Sequence, residues 1–435
     1  LITILFLLIS LLHWYRLPTF AVARWMRHPG RGFLRRAVEM LLAMLMLGVY
    51  GLKMIITALP IFVWFMILLV VWSTSFIFTW VSLLVVLVAY GVSMAIHVTL
   101  SQSPYKKFDT AVKIPLVKWV GHPVITRDVE IPTDYEQPLL CDIYQPVEKA
   151  TKGDTAIIHL HATAWQGMDK GQLTNHLFHR LVDQGHVVID VAYTLAPTAD
   201  MAQMVGEVKH AIAWVKEHAG DYTIDPEKIV LMGESGGGQL ALLCAYTAND
   251  PEFQPTSITV DTSVSGVVAI HAPTDLAIAF EEFGKMEPRQ PETSDQITDD
   301  MQPRVFNKTI LDRLITKWRM LPEFRYQNMP GGPLLMVNLM GGTLKEKEEA
   351  YAKYSPLTHI SPESPPTLYL TGAQDFYYRA SYGKMLHEKL VEAGVPSVYH
   401  SFKLSDHGFL LFFPRTSPVA KTGMYTVAQW LNELD

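Results

Sequence analysis

The chain has 435 residues, 49% of them hydrophobic and 18% charged, with two cysteines and a formal net charge of -6. That balance excludes a disordered polymer, a disulfide-stapled miniprotein and an array of zinc ribbons. Residues 1–100 carry seven Lys or Arg against the single acid Glu39, a net +6 that leaves -12 for the rest. The basic residues lie between apolar runs, a pattern for a membrane surface rather than a nucleic acid.

In chain order, residues 1–12 (LITILFLLISLL) begin the apolar third, followed by Trp14, Tyr15 and Arg16. They are expected to form a span with an interfacial anchor, with a signal peptide as the alternative reading. Five arginines from Arg24 to Arg36, interleaved with Trp25, Met26, Phe33 and Leu34, suit a cytoplasmic loop or a helix in the headgroup layer. Val38 to Leu59 forms a second apolar run, charged only at Glu39 near its start and at Lys53, which can snorkel. Ile61 to Ile96 is longer still and uncharged. As one helix those residues would measure roughly 54 Å against about 30 Å of hydrocarbon, so two passes are expected, folding near Ser73 to Ser75 or Thr79. The reading is therefore a transmembrane helical region over 1–104 with three to four spans, and the parity of the crossings leaves open which side the body occupies.

From 105 to 435 the composition is that of one large domain. Arg127 to Ile131 and Leu139 to Tyr144 alternate as a leading hairpin. Apolar strands are expected at Ala156 to Leu160, Val187 to Val191, Lys228 to Met232, Ser265 to Ile270, Thr367 to Leu370 and Ser397 to Phe402. Helical periodicity falls between and after them, at Leu173 to Val182, Met201 to His218, Gly238 to Thr247, Ala380 to Ala393 and Val419 to Leu434. Strand-helix alternation makes a mostly parallel sheet covered on both faces. A proline-rich stretch at 281–335, with apolar residues recurring at helical spacing from Ile310 to Leu321, reads as an insertion, either a lid over an apolar site or a surface resting on the bilayer, or else a packed decoration.

The segment KIVLMGESGGGQLALLCAY, residues 228–246, carries the chemistry. An apolar strand runs into Gly233-Glu234-Ser235-Gly236-Gly237 and at once into a helix, so G-x-S-x-G stands where a tight turn would hold Ser235 above the sheet. A serine needs a base, and the base a carboxylate that fixes its tautomer. Asp375 follows the strand ending at Leu370 and His407 the strand ending at Phe402, which puts both at carboxyl ends of strands, as it does Ser235. Asp275 is the reserve acid, and Asp406 reads as solvent-facing. His159 and His271 read as satisfied packing histidines, and Asp190 and Asp225 as structural carboxylates. The backbone NH of Gly236 supplies one oxyanion donor, and the loop beginning at His161 should supply the other.

Over about residues 125–415 the chain resembles the hormone-sensitive-lipase-type carboxylesterases of the α/β-hydrolase superfamily, with their arylacetamide-deacetylase-like and kynurenine-formamidase-like members. The resemblance rests on LLCDIYQP, IIHLHATAW, VVIDVAYTLAP, the serine turn, YSPLTHI and the residues around Asp375 and His407. It implies an α/β-hydrolase fold behind the transmembrane region and oxyanion donors at Ala162, Thr163 and Gly236. The family's H-G-G-G segment here has Ala162 and Thr163 in place of glycines, which resist the close backbone approach that glycine permits.

The expected activity is a membrane-anchored serine hydrolase that cleaves carboxylic esters through an acyl-serine. Ser235 is its nucleophile, His407 its base and Asp375 the residue that orients His407. It calls for no metal or organic cofactor, and its expected partners are the lipid bilayer and a hydrophobic ester, with no nucleic acid. The alternatives are acyl transfer or arylformamide cleavage by the same groups, or a hydrolase-like scaffold without chemistry.

Overall fold

The computed structural model describes residues 84–85, 87–88, 91, 103–105, 123–147, 155–162, 164–171, 174–286, 332–375, 377–403, 405–410 and 417–434. The expected spans lie outside them, apart from Leu84, Val85, Leu87, Val88 and Gly91, which are helical and exposed. Among the described residues no helix is long and apolar enough to cross a membrane. Of the insertion expected at 281–335, residues 287–331 likewise lie outside them.

The chain divides into two compact units. One comprises Leu1–Lys118, Gly372–Phe376 and Ser401–Thr426, and the other Trp119–Thr371, Tyr377–His400 and Val427–Asp435.

The strands are β1 (Val124–Ile131), β2 (Leu139–Gln145), β3 (Ala156–Leu160), β4 (Val187–Ala192), β5 (Ile229–Glu234), β6 (Gly266–Ile270), β7 (Thr367–Gly372) and β8 (Ser397–Phe402), with Gly372 and Ser401–Phe402 counted in the smaller unit. These strands form one sheet in the order β1-β2-β4-β3-β5-β6-β7-β8. The leading hairpin pairs antiparallel, β1 with β2 and β2 with β4, and the pairs from β4 through β3, β5 and β6 to β7 are parallel. Helices lie in the connections, α1 (Asn175–Asp183), α2 (Met201–Glu217), α3 (Gly236–Tyr246), α4 (Leu276–Met286), α5 (Gly332–Met340) and α6 (Ser381–Glu392), and α7 (Pro418–Leu434) follows β8. Every strand and helix expected between Arg127 and Leu434 is present, and α4 and α5 are added where the proline-rich stretch begins and ends.

β3, β5 and β6 are buried at every position, which is why they read as apolar runs, interrupted only by His159 in β3 and closed by Glu234 in β5. The α3 helix is buried along its whole length. Its C-terminal carbonyls are answered by Lys209 of α2, whose ammonium donates to Cys244 O at 2.9 Å and Thr247 O at 2.7 Å. Burial pushes that amine down to about 8.

Charged groups also cross the middle of this apolar sheet. Asp142 of β2 and Asp190 of β4 are register partners, as are Asp190 and His159 of β3. His159 lies 2.6 Å from Asp190 through Nδ1 and 2.8 Å from Glu234 through Nε2. The three side chains are at most 1% exposed. Lys170 at 2.9 Å and Arg127 answer Asp142, and the backbone NH of Gly171 donates to the second oxygen of Asp190. Burial alone would push the His159 ring down, but the flanking carboxylates of Glu234 and Asp190 outweigh it and hold the ring up at about 10. The imidazolium therefore offsets one of two carboxylates that have left water.

Two outcomes follow. A Cβ at Gly237 would collide with the carbonyls of Leu160 and His161, whereas one at Gly220 meets nothing within 4 Å. Gly237→Ala should lower stability by about 1–3 kcal/mol or prevent folding, while Gly220→Ala should stay within about 0.5 kcal/mol of wild type; urea unfolding of the detergent-solubilised chain compares them. A histidine raised in the folded state stabilises fully below its unfolded pKa and loses that contribution as pH rises through its folded value. The urea midpoint should thus decline from about pH 6.5 through about 10, and decline less in His159→Gln; equal slopes would exclude a charged ring.

Candidate active site

Ser235 stands at the junction of β5 and α3 with φ 52° and ψ -121°, a conformation that costs a non-glycine residue of order 1–3 kcal/mol. Packing imposes it. A Cβ at Gly233 would strike the backbone of Gly237, one at Gly237 the carbonyl of Leu160, and one at Gly238 would come within 2.8 Å of the Ala272 side chain. Because these residues lack side chains, α3 can begin directly against the carboxyl ends of its neighbouring strands, and the reversal falls on Ser235. Its backbone NH donates to Ile270 O at 2.9 Å, and its carbonyl accepts from Gln239 N at 3.0 Å. Ser235 is 5% exposed. Gly236, the first residue of α3, brings its NH to a helix N-terminus, where anionic oxygen is favoured.

The loop after β3 lies beside this turn. Ala162 is 5% exposed, and its carbonyl accepts from His161 Nδ1 at 3.1 Å. The His161 ring stacks on Tyr193 with centroids 4.4 Å apart. Thr163 lies outside the described residues. The next two residues, Ala164 and Trp165, take φ values of 53° and 60°, so the left-handed backbone that glycine would adopt freely is held here by larger residues. What holds it is Trp165, fully buried. Its indole NH donates to Gln239 Oε1 at 2.9 Å, its carbonyl accepts from Ala196 N at 2.9 Å, and its ring and backbone nitrogen pack 3.1 Å from where a Cβ on Gly236 would stand. Gln239 in turn donates to Tyr354 O at 2.7 Å. The loop and the start of α3 are thereby tied by the same side chains.

The smaller unit brings Asp375 and His407 together. Asp375 Oδ2 lies 2.8 Å from His407 Nδ1, and the carboxylate is shielded from solvent while the ring keeps 16% of its surface. An ionised carboxylate only accepts, so Nδ1 bears the proton and Nε2 is the basic nitrogen. Backbone bonds join the two loops: Ala373 N donates to Phe402 O at 2.9 Å and Gln374 N to Ser405 O at 2.8 Å. Gly372 makes this possible, since a Cβ there would come within 2.5 Å of Ser405 O and 2.6 Å of Asp406 O. Asp406 is half-buried.

The reserve acid Asp275 is committed elsewhere, its carboxylate accepting from Ile278 N at 2.9 Å as the start of α4. Sequence reasoning passed over Glu234, Trp165 and Gln239. For Glu234 a signal existed, an acid at the end of a wholly apolar strand, which must find a buried partner. Among the described residues no group of His, Cys, Asp and Glu is arranged to hold a metal.

Comparison with known proteins gives the following likenesses. Residues 141–309 match the BD-FAE family model. The chain is 27% identical over 247 residues to the probable carboxylic ester hydrolase LipM of Mycobacterium tuberculosis, covering 57% of this chain and 47% of that protein. It is 32% identical over 136 residues to an arylesterase of Saccharolobus solfataricus, covering 30% of this chain and 42% of that protein. The chain thus spans about half the length of the curated relatives it matches. A thermophilic esterase from Thermogutta terrifontis superposes on 72% of this chain and 94% of its own with a TM-score of 0.50 at 18% identity. The order and directions of the strands, together with that superposition, give this chain the mostly parallel α/β-hydrolase fold found in esterases.

Proposed function

We propose that this chain is a serine hydrolase of carboxylic esters, working through an acyl-serine on Ser235. The observation that carries the reading is Ser235 itself, a buried, backbone-strained serine at a strand-to-helix turn whose glycines admit no side chain. The ready-made Asp375–His407 couple supports it as the base and its orienting acid. So do the relatives named for ester hydrolysis.

In this mechanism His407 Nε2 accepts the hydroxyl proton as Ser235 Oγ bonds to the ester carbonyl carbon. The developing oxyanion is taken by backbone NH groups of Gly236 and of the loop at Ala162 and Thr163. His407 then protonates the departing alcohol as the carbon–oxygen bond breaks, leaving the acyl group on Ser235. Water, deprotonated by the same nitrogen, attacks that acyl group; as the acyl–Oγ bond breaks, Ser235 Oγ takes the proton back from His407 and the carboxylic acid departs, with Asp375 ionised throughout. The substrate proposed is a lipophilic ester drawn from a bilayer to which the N-terminal third is anchored. The charge-free apolar run there, and the exposed helical side chains of Leu84 and Val88, at 62% and 56%, support that placement.

A fluorophosphonate probe should label the wild-type chain and leave Ser235→Ala unlabelled; labelling of both would remove the nucleophile assignment. For a short ester, kcat should drop about 10⁴-fold in Asp375→Asn, which turns the ring to the wrong tautomer. Across esters of graded acyl length assayed in detergent, long-chain substrates should show the higher kcat/KM. If short water-soluble esters are turned over far faster, the lipophilic substrate is excluded while the mechanism stands.

A further inference from the structure

The buried charges at the centre of the sheet end at the nucleophile. Glu234, whose carboxylate meets His159 Nε2 at 2.8 Å, is the residue bonded to Ser235 and the last of β5. The groups facing the His159 ring are Asp190 from β4, Glu234 from β5 and the edge of Phe178 from α1, with centroids 4.7 Å apart. Both ring nitrogens therefore face carboxylate oxygens, and each contact is attractive only if a proton lies between them. Asp190 is itself fixed by the backbone NH of Gly171. Glu234 Oε1 finds no hydrogen-bond partner among the described residues, so this carboxylate is held through its bond to His159.

We propose that His159 is a positioning residue of the nucleophile turn, a buried imidazolium clamped between Asp190 and Glu234 that holds the end of β5 and so keeps Ser235 in its strained attacking conformation. The inference rests on Ser235 being the nucleophile. A strained backbone persists only where its surroundings over-determine it. The glycine contacts fix the turn from the α3 side, and the His159 bond fixes it from the β4 side. Without the ring, two buried carboxylates would lose their counter-charge, and the end of β5 would be free to move Glu234 toward another partner. Displacement of a nucleophile by about 1 Å costs on the order of 100-fold in rate, and it falls on kcat rather than on KM, because bound substrate makes no contact with His159 in this account.

The test compares wild type, His159→Gln, Glu234→Gln and Ser235→Ala as full-length detergent-solubilised chains. It uses p-nitrophenyl butyrate turnover, fluorophosphonate labelling rates and nitrogen-15 spectra of the labelled histidines. His159→Gln and Glu234→Gln should each lose about 100-fold in kcat with KM within about twofold and labelling slowed in proportion. The wild-type spectrum should contain one imidazolium with two downfield N–H protons, unchanged from about pH 6 to 9 and absent from His159→Gln. Wild-type kcat in folded His159→Gln, with Ser235→Ala inactive, overturns the inference alone. Labelling of Ser235→Ala overturns the nucleophile assignment and this inference with it. If His159→Gln does not fold, Glu234→Gln carries the kinetic comparison, and a neutral single-tautomer ring at His159 in wild type overturns the proposal by itself.

Discussion

The structure depends on one steric constraint: a strand must become a helix within a single residue while the helix stays packed on the sheet it has just left. Gly233, Gly237 and Gly238 meet that constraint by omitting side chains where backbone carbonyls and the Ala272 methyl already occupy the space. The residue between them absorbs the reversal, and it is Ser235. Close packing and the strained backbone of Ser235 are thus two outcomes of the same geometry. In the proposed mechanism a serine on a relaxed loop would have to lose its freedom at each turnover, whereas here that cost is met on folding.

A second requirement is that this strained turn stay fixed, and two separate bonding systems surround it. Trp165, with Gln239, joins the loop after β3 to the first turns of α3, and it does so while Ala164 and Trp165 sit in left-handed backbone. The absence of glycine from positions 161–165 of that loop is therefore compensated by anchoring. Permissive residues would reach this shape without help; larger ones keep it because a buried indole is bonded on the far side. On the opposite side Asp190, His159 and Glu234 run from strand to strand. Charges so deep in a sheet seldom add stability over apolar residues of the same size, because desolvation consumes most of their attraction. What they supply is a unique arrangement, since no other register of β3 would place a ring between those two acids.

The acid and base present the opposite case, short range and solvent-edged. Gly372 lets the two loops approach until their backbones bond, and the carboxylate is covered while the ring keeps some access to water. The proposed mechanism draws on this asymmetry: in it the orienting carboxylate is kept from water while the ring that would carry protons keeps some access to it.

Local pattern in the sequence was enough for the strands and helices of the body, because short, almost wholly apolar runs such as β3 and β5 have little option but to be strands buried on both faces. The serine turn was legible for the same reason, since glycines at fixed offsets have only a steric explanation there. Asp375 and His407 could be named from their places after β7 and β8, yet their 2.8 Å contact depends on how two loops pair, which no spacing encodes. The partners of His159 were hidden altogether. Asp190 and Glu234 stand 31 and 75 residues away along the chain, and only the strand order β4-β3-β5, which places β3 between its later neighbours, turns an ordinary buried histidine into a shared cation. Residue type and period are local properties and survive in one dimension; the pairing of charges across a sheet is set by topology and is decided only when the chain closes on itself.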